Sequence, residues 1–127
     1  MPLGLFIAGT STDVGKTHVA AMIARSLVAD GHRVGVYKPA ASGCRQVAGE
    51  LVADDALALW TAAGEPLTLD AVCPQRFAAP LAPPQAAAAE RRVVDETLLR
   101  RGVEPWLAAS DVVLVEAVGL EVDESTL

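Results

Sequence analysis

The sequence predicts an α/β fold in which helices flank a parallel sheet. Three stretches point to it. An apolar run at residues 3–8 leads into a glycine loop from Gly9 to Thr17, Gly-Thr-Ser-Thr-Asp-Val-Gly-Lys-Thr, and the loop opens a helical pattern. A second apolar run at 33–37 follows that helix and stops at Lys38-Pro39. A third, at 111–116, is apolar until it closes on the carboxylate of Glu116. Strand, helix and strand in that order form a βαβ unit, whose strands run parallel with a right-handed crossover.

Residues 3–8 read as a buried strand, apolar on both faces. The loop after it has the context that a phosphate-binding loop requires. In such a loop, successive backbone N–H groups face inward, and the helix N-terminus adds partial positive charge. Lys16 can reach terminal phosphate oxygens, and the Thr17 hydroxyl can coordinate Mg²⁺. The strict pattern has glycine five residues before Gly15, where this chain has Thr10. Gly9 lies one position earlier, so the loop is one residue longer. The expected architecture is therefore P-loop NTPase-like.

Residues 16–30 read as the first helix, with Val19, Met22, Ile23 and Leu27 at helical spacing and Gly31 just past its end. Residues 33–37 form the second strand, which Pro39 ends because proline donates no ladder hydrogen bond. Residues 40–49 are small and glycine-bearing and read as a loop. Residues 51–63 read as a helix with Val52, Ala56, Leu59, Trp60 and Ala63 on one stripe, stopped by Gly64-Glu65-Pro66. Residues 73–84 hold four of the eight prolines and read as an ordered loop or a linker. A short helix is expected at 85–90. Asp95 suits the N-cap of a helix running to about Arg101. Pro105 suits the first turn of a further helical piece ending near Ala109. Residues 111–116 are the third strand.

At 127 residues the chain is expected to be a single domain, 1–127. Apolar residues make up 52% and aromatic residues only 4%, so the core must be built from Ala, Val and Leu. The net charge of -6, with no basic stripe, argues against a nucleic-acid surface. The longest apolar runs are far shorter than a membrane span. Met1-Pro2 precedes no basic n-region and no cleavage-site pattern. Cys44 and Cys73 make neither a disulfide framework nor a zinc site, so reduced thiols in a cytoplasmic protein are expected.

In open α/β sheets, ligands sit beyond the carboxyl ends of the strands. Here those ends are the phosphate loop, Lys38 and Glu116. A carboxylate that ends an apolar strand fits the Walker B role of holding Mg²⁺ directly or through water. Lys38 is either a solvated lysine beside a proline or a phosphate-facing cation, and its place at a strand end favours the second. Asp54 and Asp55 either aid Mg²⁺ binding or complement the dipole of their helix.

Five stretches, taken in order, resemble the dethiobiotin synthetase family. They are the loop from Gly9 to Thr17, Tyr-Lys-Pro-Ala-Ala-Ser-Gly at 37–43 and Asp-Asp-Ala-Leu-Ala-Leu at 54–59. Phe-Ala-Ala-Pro-Leu-Ala-Pro-Pro at 77–84 and Val-Leu-Val-Glu at 113–116 complete the set. The resemblance implies an ATP- and Mg²⁺-dependent cyclo-ligase. Such an enzyme closes the ureido ring of dethiobiotin on 7,8-diaminononanoate with carbon dioxide, in biotin biosynthesis. It implies that Asp13, Val14, Gly15, Lys16, Thr17 and His18 hold the ATP phosphates, with Lys16 on the terminal one. It implies that Thr17, Asp55 and Glu116 organise Mg²⁺, and that Lys38 is the catalytic lysine alongside Lys16. Thr12 and Ser42 would touch the substrate, and Pro80 to Pro83 would lie along its channel. The implied sequence is amine carboxylation, carbamate attack on the γ-phosphate, then ring closure. Such chemistry is mostly positioning and charge neutralisation.

The chain departs from the family pattern after Glu116, where Ala117-Val118-Gly119-Leu120 replaces a turn of Gly-Ala-Gly-Gly. Only Gly119 remains to sit with the nucleotide-binding residues. The chain corresponds to the N-terminal half of a family domain, so the sheet is expected to be incomplete at its C-terminal side. The 127 residues alone are expected not to make a competent synthetase, and to pair as a homodimer or with a complementary chain. An alternative is a non-catalytic, dethiobiotin-synthetase-like ATP-binding or regulatory module, or an inactive truncated copy. A partitioning-type ATPase is disfavoured because Ser11 stands where those loops carry an extra lysine.

Overall fold

A computed structural model describes residues 3–7 and 13–116, without the side chains of Phe6, Ile7, Asp13, Val14 and Lys16. Its centre is a three-stranded parallel sheet built from β1 (Leu3–Ile7), β2 (Val34–Tyr37) and β7 (Val112–Glu116), in the order β1-β7-β2. The last strand is thus inserted between the first two. Leu5 and Val36 both stand beside Leu114, and Ile7 stands beside Glu116. This is the α/β, P-loop NTPase-like architecture that the sequence predicts.

Helix α1 (Asp13–Ala29) follows β1 and begins three residues before the expected start. Gly31 closes it with φ +91°, and the His32 N–H returns to the Leu27 carbonyl at 3.1 Å. The buried stripe of α1 is Thr17, Ala20, Ala21 and Ala24. Of the expected apolar stripe, Val19 and Met22 are exposed, and Ile23 and Leu27 are half-buried against the core. Small residues let the helix approach its neighbours closely, and longer side chains would hold it away. In β1, Leu3 and Leu5 are exposed, against the expectation of burial on both faces. Both β1 and β2 are outer strands of the described sheet, but the helical segments 54–62, 69–72 and 104–109 pack on β2, and among the described residues none covers β1 comparably.

β2 is buried along its whole length. Gly35 and Tyr37 share one face of it. There Gly35 meets Trp106 and Ser110 of the segment around α6 (Glu104–Ala109), and a Cβ at Gly35 would stand 2.5 Å from Ser110 Oγ. Tyr37 Oη donates to the Leu99 carbonyl at 2.8 Å in α5 (Glu96–Arg101). Asp95 caps α5 by accepting from the Leu98 N–H at 3.0 Å, as expected. The Trp106 indole, fully buried, donates to the Ala71 carbonyl at 2.9 Å and ties α6 to α3 (Leu69–Val72).

Several segments differ from expectation. Residues 40–49 are not a plain loop, since they contain β3 (Ala40–Ala41) and β4 (Arg45–Val47). Leu51 and Val52 belong to β5 (Glu50–Val52), which pairs antiparallel with β4, so α2 (Asp54–Ala62) starts only at Asp54. The hairpin turn at Ala48 (φ 52°) and Gly49 (φ +84°) has both residues left-handed, as a tight two-residue turn needs. Within 73–84, β6 (Gln75–Arg76) pairs parallel with β3, and α4 (Pro83–Ala89) starts two residues before the expected helix. Pro83 and Pro84 occupy its first turn, where a missing N–H costs nothing.

Candidate functional site

The carboxyl ends of β2 and β7 bring three charged side chains together. Lys38 follows β2, and its N–H donates to the Val72 carbonyl at 2.8 Å. Its side chain is 5% exposed, with Nζ 3.7 Å from Glu116 Oε1 and 3.8 Å from Asp55 Oδ2. These are ion-pair separations, longer than hydrogen bonds. Glu116 ends β7 and is 1% exposed. Its Oε1 accepts from Thr17 Oγ1 at 2.8 Å. One carboxylate therefore meets the N-terminal turns of α1 and the lysine at the end of β2. The formal charge of Lys38, Asp55 and Glu116 together is negative by one unit.

Asp54 and Asp55 part company in space. Asp54 Oδ1 and Oδ2 each accept from Arg45 Nε at 2.9 Å, and Oδ1 also accepts from Arg45 Nη2 at 2.6 Å. The Arg45 guanidinium holds the Asp54 carboxyl below the usual carboxylate range. Asp55 is the member that turns to Lys38.

A cavity of about 560 Å³ opens beside this cluster. Lys38, Ser42, Gly43, Asp54 and Asp55 line it on one side, with Pro80, Leu81, Ala82 and Pro83 completing the wall. Backbone pairing sets that wall. Phe77 N–H donates to Ala41, Cys44 N–H to Phe77, and Gly43 N–H to Ala79, at 2.8 to 3.0 Å. The strand after Lys38 thereby carries Ser42 across from Pro80. A second, shallower groove between α1 and α2 is lined by Thr17, His18, Arg25, Asp54 and Leu57.

Behind Lys38 the surroundings are apolar. Burial pushes the Cys73 thiol up to about 12, and burial followed by the neighbouring Cys73 pushes the Tyr37 phenol up to about 12. Both Cys44 and Cys73 are free and buried.

Residues 3–124 match the family model described as an AAA domain. The chain belongs to the AAA domain family. This AAA domain is 50% identical over 116 residues to an ATP-dependent dethiobiotin synthetase of Rhodopirellula baltica, a match covering 90% of the chain and 45% of the relative. It is 41% identical over 114 residues to one of Aliivibrio salmonicida, covering 90% and 50%. It is 38% identical over 118 residues to one of Aromatoleum aromaticum, covering 93% and 52%. The chain spans about half the length of these curated relatives, and the resemblance that its motifs carry extends over most of it.

Of the site residues named from the AAA domain's sequence, Thr17, Lys38, Asp55 and Glu116 form one connected cluster. Ser42 lines the adjoining cavity, and His18 stands exposed at the α1–α2 groove. Gly15 is exposed in the first turns of α1. Thr12 and Gly119 lie outside the described residues, as do the side chains of Asp13, Val14 and Lys16. Among the described residues, no group of three His, Cys, Asp or Glu could hold a metal ion. Sequence reasoning missed Arg45, which it left in a loop. Its signal was faint, an arginine nine positions before Asp54 with Ala48-Gly49 between them.

Proposed function

We propose that this chain forms the catalytic half of an ATP- and Mg²⁺-dependent dethiobiotin synthetase. It would close the ureido ring on 7,8-diaminononanoate with carbon dioxide. The observation that carries the proposal is the Lys38 ammonium, buried at a strand end between two carboxylates and facing the cavity that Ser42 lines. The names of the relatives supply the reaction.

The donor set fits magnesium. Mg²⁺ prefers hard oxygen donors, such as carboxylates and hydroxyls. Thr17 Oγ1 and Glu116 Oε1 are 2.8 Å apart. Thr17, Glu116 and Asp55 would hold the ion, and the ion would neutralise phosphate charge. Lys38 brings a buried cation to the site, where it can stabilise charge developing on a carbamate oxygen and on the transferring phosphoryl group. Lys16 would bind the terminal phosphate. The Ser42 hydroxyl offers a donor and an acceptor to the diamine or the carbamate. Pro80 and Leu81 shape an apolar wall suited to an aliphatic chain. His18 would lie at the phosphate end. The free, buried thiols fit a cytoplasmic setting.

The test, run on the chain completed by a second copy or a complementary polypeptide, is phosphate release from ATP in the presence of both diaminononanoate and bicarbonate. Release that needs both supports the proposal. MgATP binding without such release would leave a nucleotide-binding module and overturn the catalytic assignment.

A further inference from the structure

We infer that Arg45 is a positioning residue which, by clamping Asp54, sets the direction of Asp55 towards Lys38 and towards a divalent cation. The inference rests on the proposed function in one respect, that Asp55 faces the cation.

Asp54 and Asp55 are consecutive in the first turn of α2, so their side chains leave the helix about 100° apart. Holding one fixes the rotation that directs the other. α2 has no side-chain cap, because its N-cap is Ala53. The other anchor for this helix start is the fork from Arg45, with contacts of 2.6 to 2.9 Å to both Asp54 oxygens. Arg45 sits on β4, and the β4–β5 hairpin reaches α2 through the single residue Ala53. Chain and fork therefore close a small ring, and the hairpin cannot swing without dragging Asp54.

Stability does not account for this pair. Both side chains are 58% exposed, and exposed ion pairs contribute about 0–1 kcal/mol. What a bidentate fork supplies is direction. The direction matters here because Asp54 lines both cavities, forming the ridge between the one at Lys38 and the one at Thr17. Asp55, one residue on, is the carboxylate turned to the buried lysine.

The experiment is calorimetric titration of ATP into the full chain over a series of magnesium concentrations. It compares Arg45→Met, Asp54→Asn, Asp55→Asn and the Arg45→Met/Asp55→Asn double variant. Arg45→Met and Asp54→Asn should each raise the magnesium midpoint about tenfold, the low end of what outer-sphere partners contribute. Asp55→Asn should raise it at least as much. The double variant should match Asp55→Asn alone, because Arg45 acts only through Asp55. Arg45→Lys should recover little, since an ammonium cannot form the fork. Melting temperatures within about 2 °C of the parent would show that the effect is not general loosening. An unchanged midpoint in Arg45→Met, or effects of Arg45→Met and Asp55→Asn that multiply, would overturn the inference and leave the proposed function standing. An unchanged midpoint in Asp55→Asn would remove Asp55 from the cation site, overturning the inference and that one assignment of the proposed function.

Discussion

Thr17 and Glu116 are separated by 99 positions in sequence and by 2.8 Å in space. The hydroxyl sits in the N-terminal turns of α1, and the carboxylate ends β7. Both residues are buried, so the hydroxyl's lost hydration is offset inside the protein. Thr17→Val keeps the shape and deletes the donor. It should lower stability by about 1–3 kcal/mol, the cost of leaving a buried acceptor short of a partner. Thr17→Ser should retain most of the difference. Urea unfolding of the three proteins reads the result, and equal midpoints for Val and Thr would show that the bond contributes nothing.

Lys16 and Lys38 are expected to fail in different ways. Lys16→Ala should weaken MgATP binding about 30- to 150-fold, the equivalent of a charged hydrogen bond worth about 2–3 kcal/mol. Lys38→Ala should change MgATP affinity less than tenfold while lowering turnover about 100-fold or more, as expected for a cation that acts on developing charge. Calorimetry and phosphate release on both variants, each in the chain completed by its partner, separate the roles. Equal losses of binding and rate in Lys38→Ala would make it a ground-state phosphate contact.

Gly35 is required by close packing. A Cβ there would lie 2.5 Å from Ser110 Oγ and 3.1 Å from Trp106 Cε3. Trp106 is fully buried and hydrogen-bonded, so it has little room to move. Gly35→Ala should cost about 1–3 kcal/mol. Adding Ser110→Ala should return part of that, because it removes the nearer of the two clashing groups. Additive losses in the double variant would contradict this account.

Stability should fall in alkali. Folding raises the Tyr37 phenol from 10.0 and the Cys73 thiol from 9.0, each to about 12. The unfolded chain ionises both near their ordinary values, while the folded chain keeps them protonated. Their contribution is therefore fully present below pH 9 and is lost as pH rises through the folded values near 12. Unfolding midpoints measured from pH 8 upward should show the decline, at about the pH where Cys and Tyr begin to ionise. At pH 8 a thiol reagent should leave Cys73 unmodified until denaturant is added.

β1 hydrogen-bonds to β7 alone within the described sheet, and Leu3 and Leu5 are exposed along it. An open apolar edge invites another strand. Sedimentation at micromolar concentration should show association with a second copy or with an added complementary polypeptide. A monomer that carries out the full reaction would remove the need for a partner.

The central features could be read from the sequence because they rest on local signals. Gly31, Asp95 and Pro105 mark helix ends by backbone chemistry, and the structure places them as expected. Lys38 and Glu116 could be named because strand ends are where parallel sheets present side chains. What could not be read depends on distant neighbours. The exposure of Leu3 follows from which strands the helices cover, which no local pattern encodes. Ala20, Ala21 and Ala24 form the buried stripe of α1 because close approach favours alanine over the larger Val19 and Met22. The strands β3 to β6 are two or three residues long, too short for a period-two pattern to register. That Asp54 pairs with Arg45 and Asp55 with Lys38 is visible only in three dimensions.

The position of β7 has a consequence for how the protein is made. Leu3 and Val34 both wait for Val112 as their ladder neighbour. During synthesis the ribosome releases β1 and β2 well before the strand that joins them. Until then, neither has its native partner, and their apolar backbones remain open to wrong pairings. Assembly of the sheet must close a long loop in one late step, and that closure costs chain entropy before the β7 contacts can offset it. Helices α1 and α2 can form early, but the Thr17–Glu116 contact cannot exist before Glu116 has been synthesised, so the site is completed only when that last described strand docks.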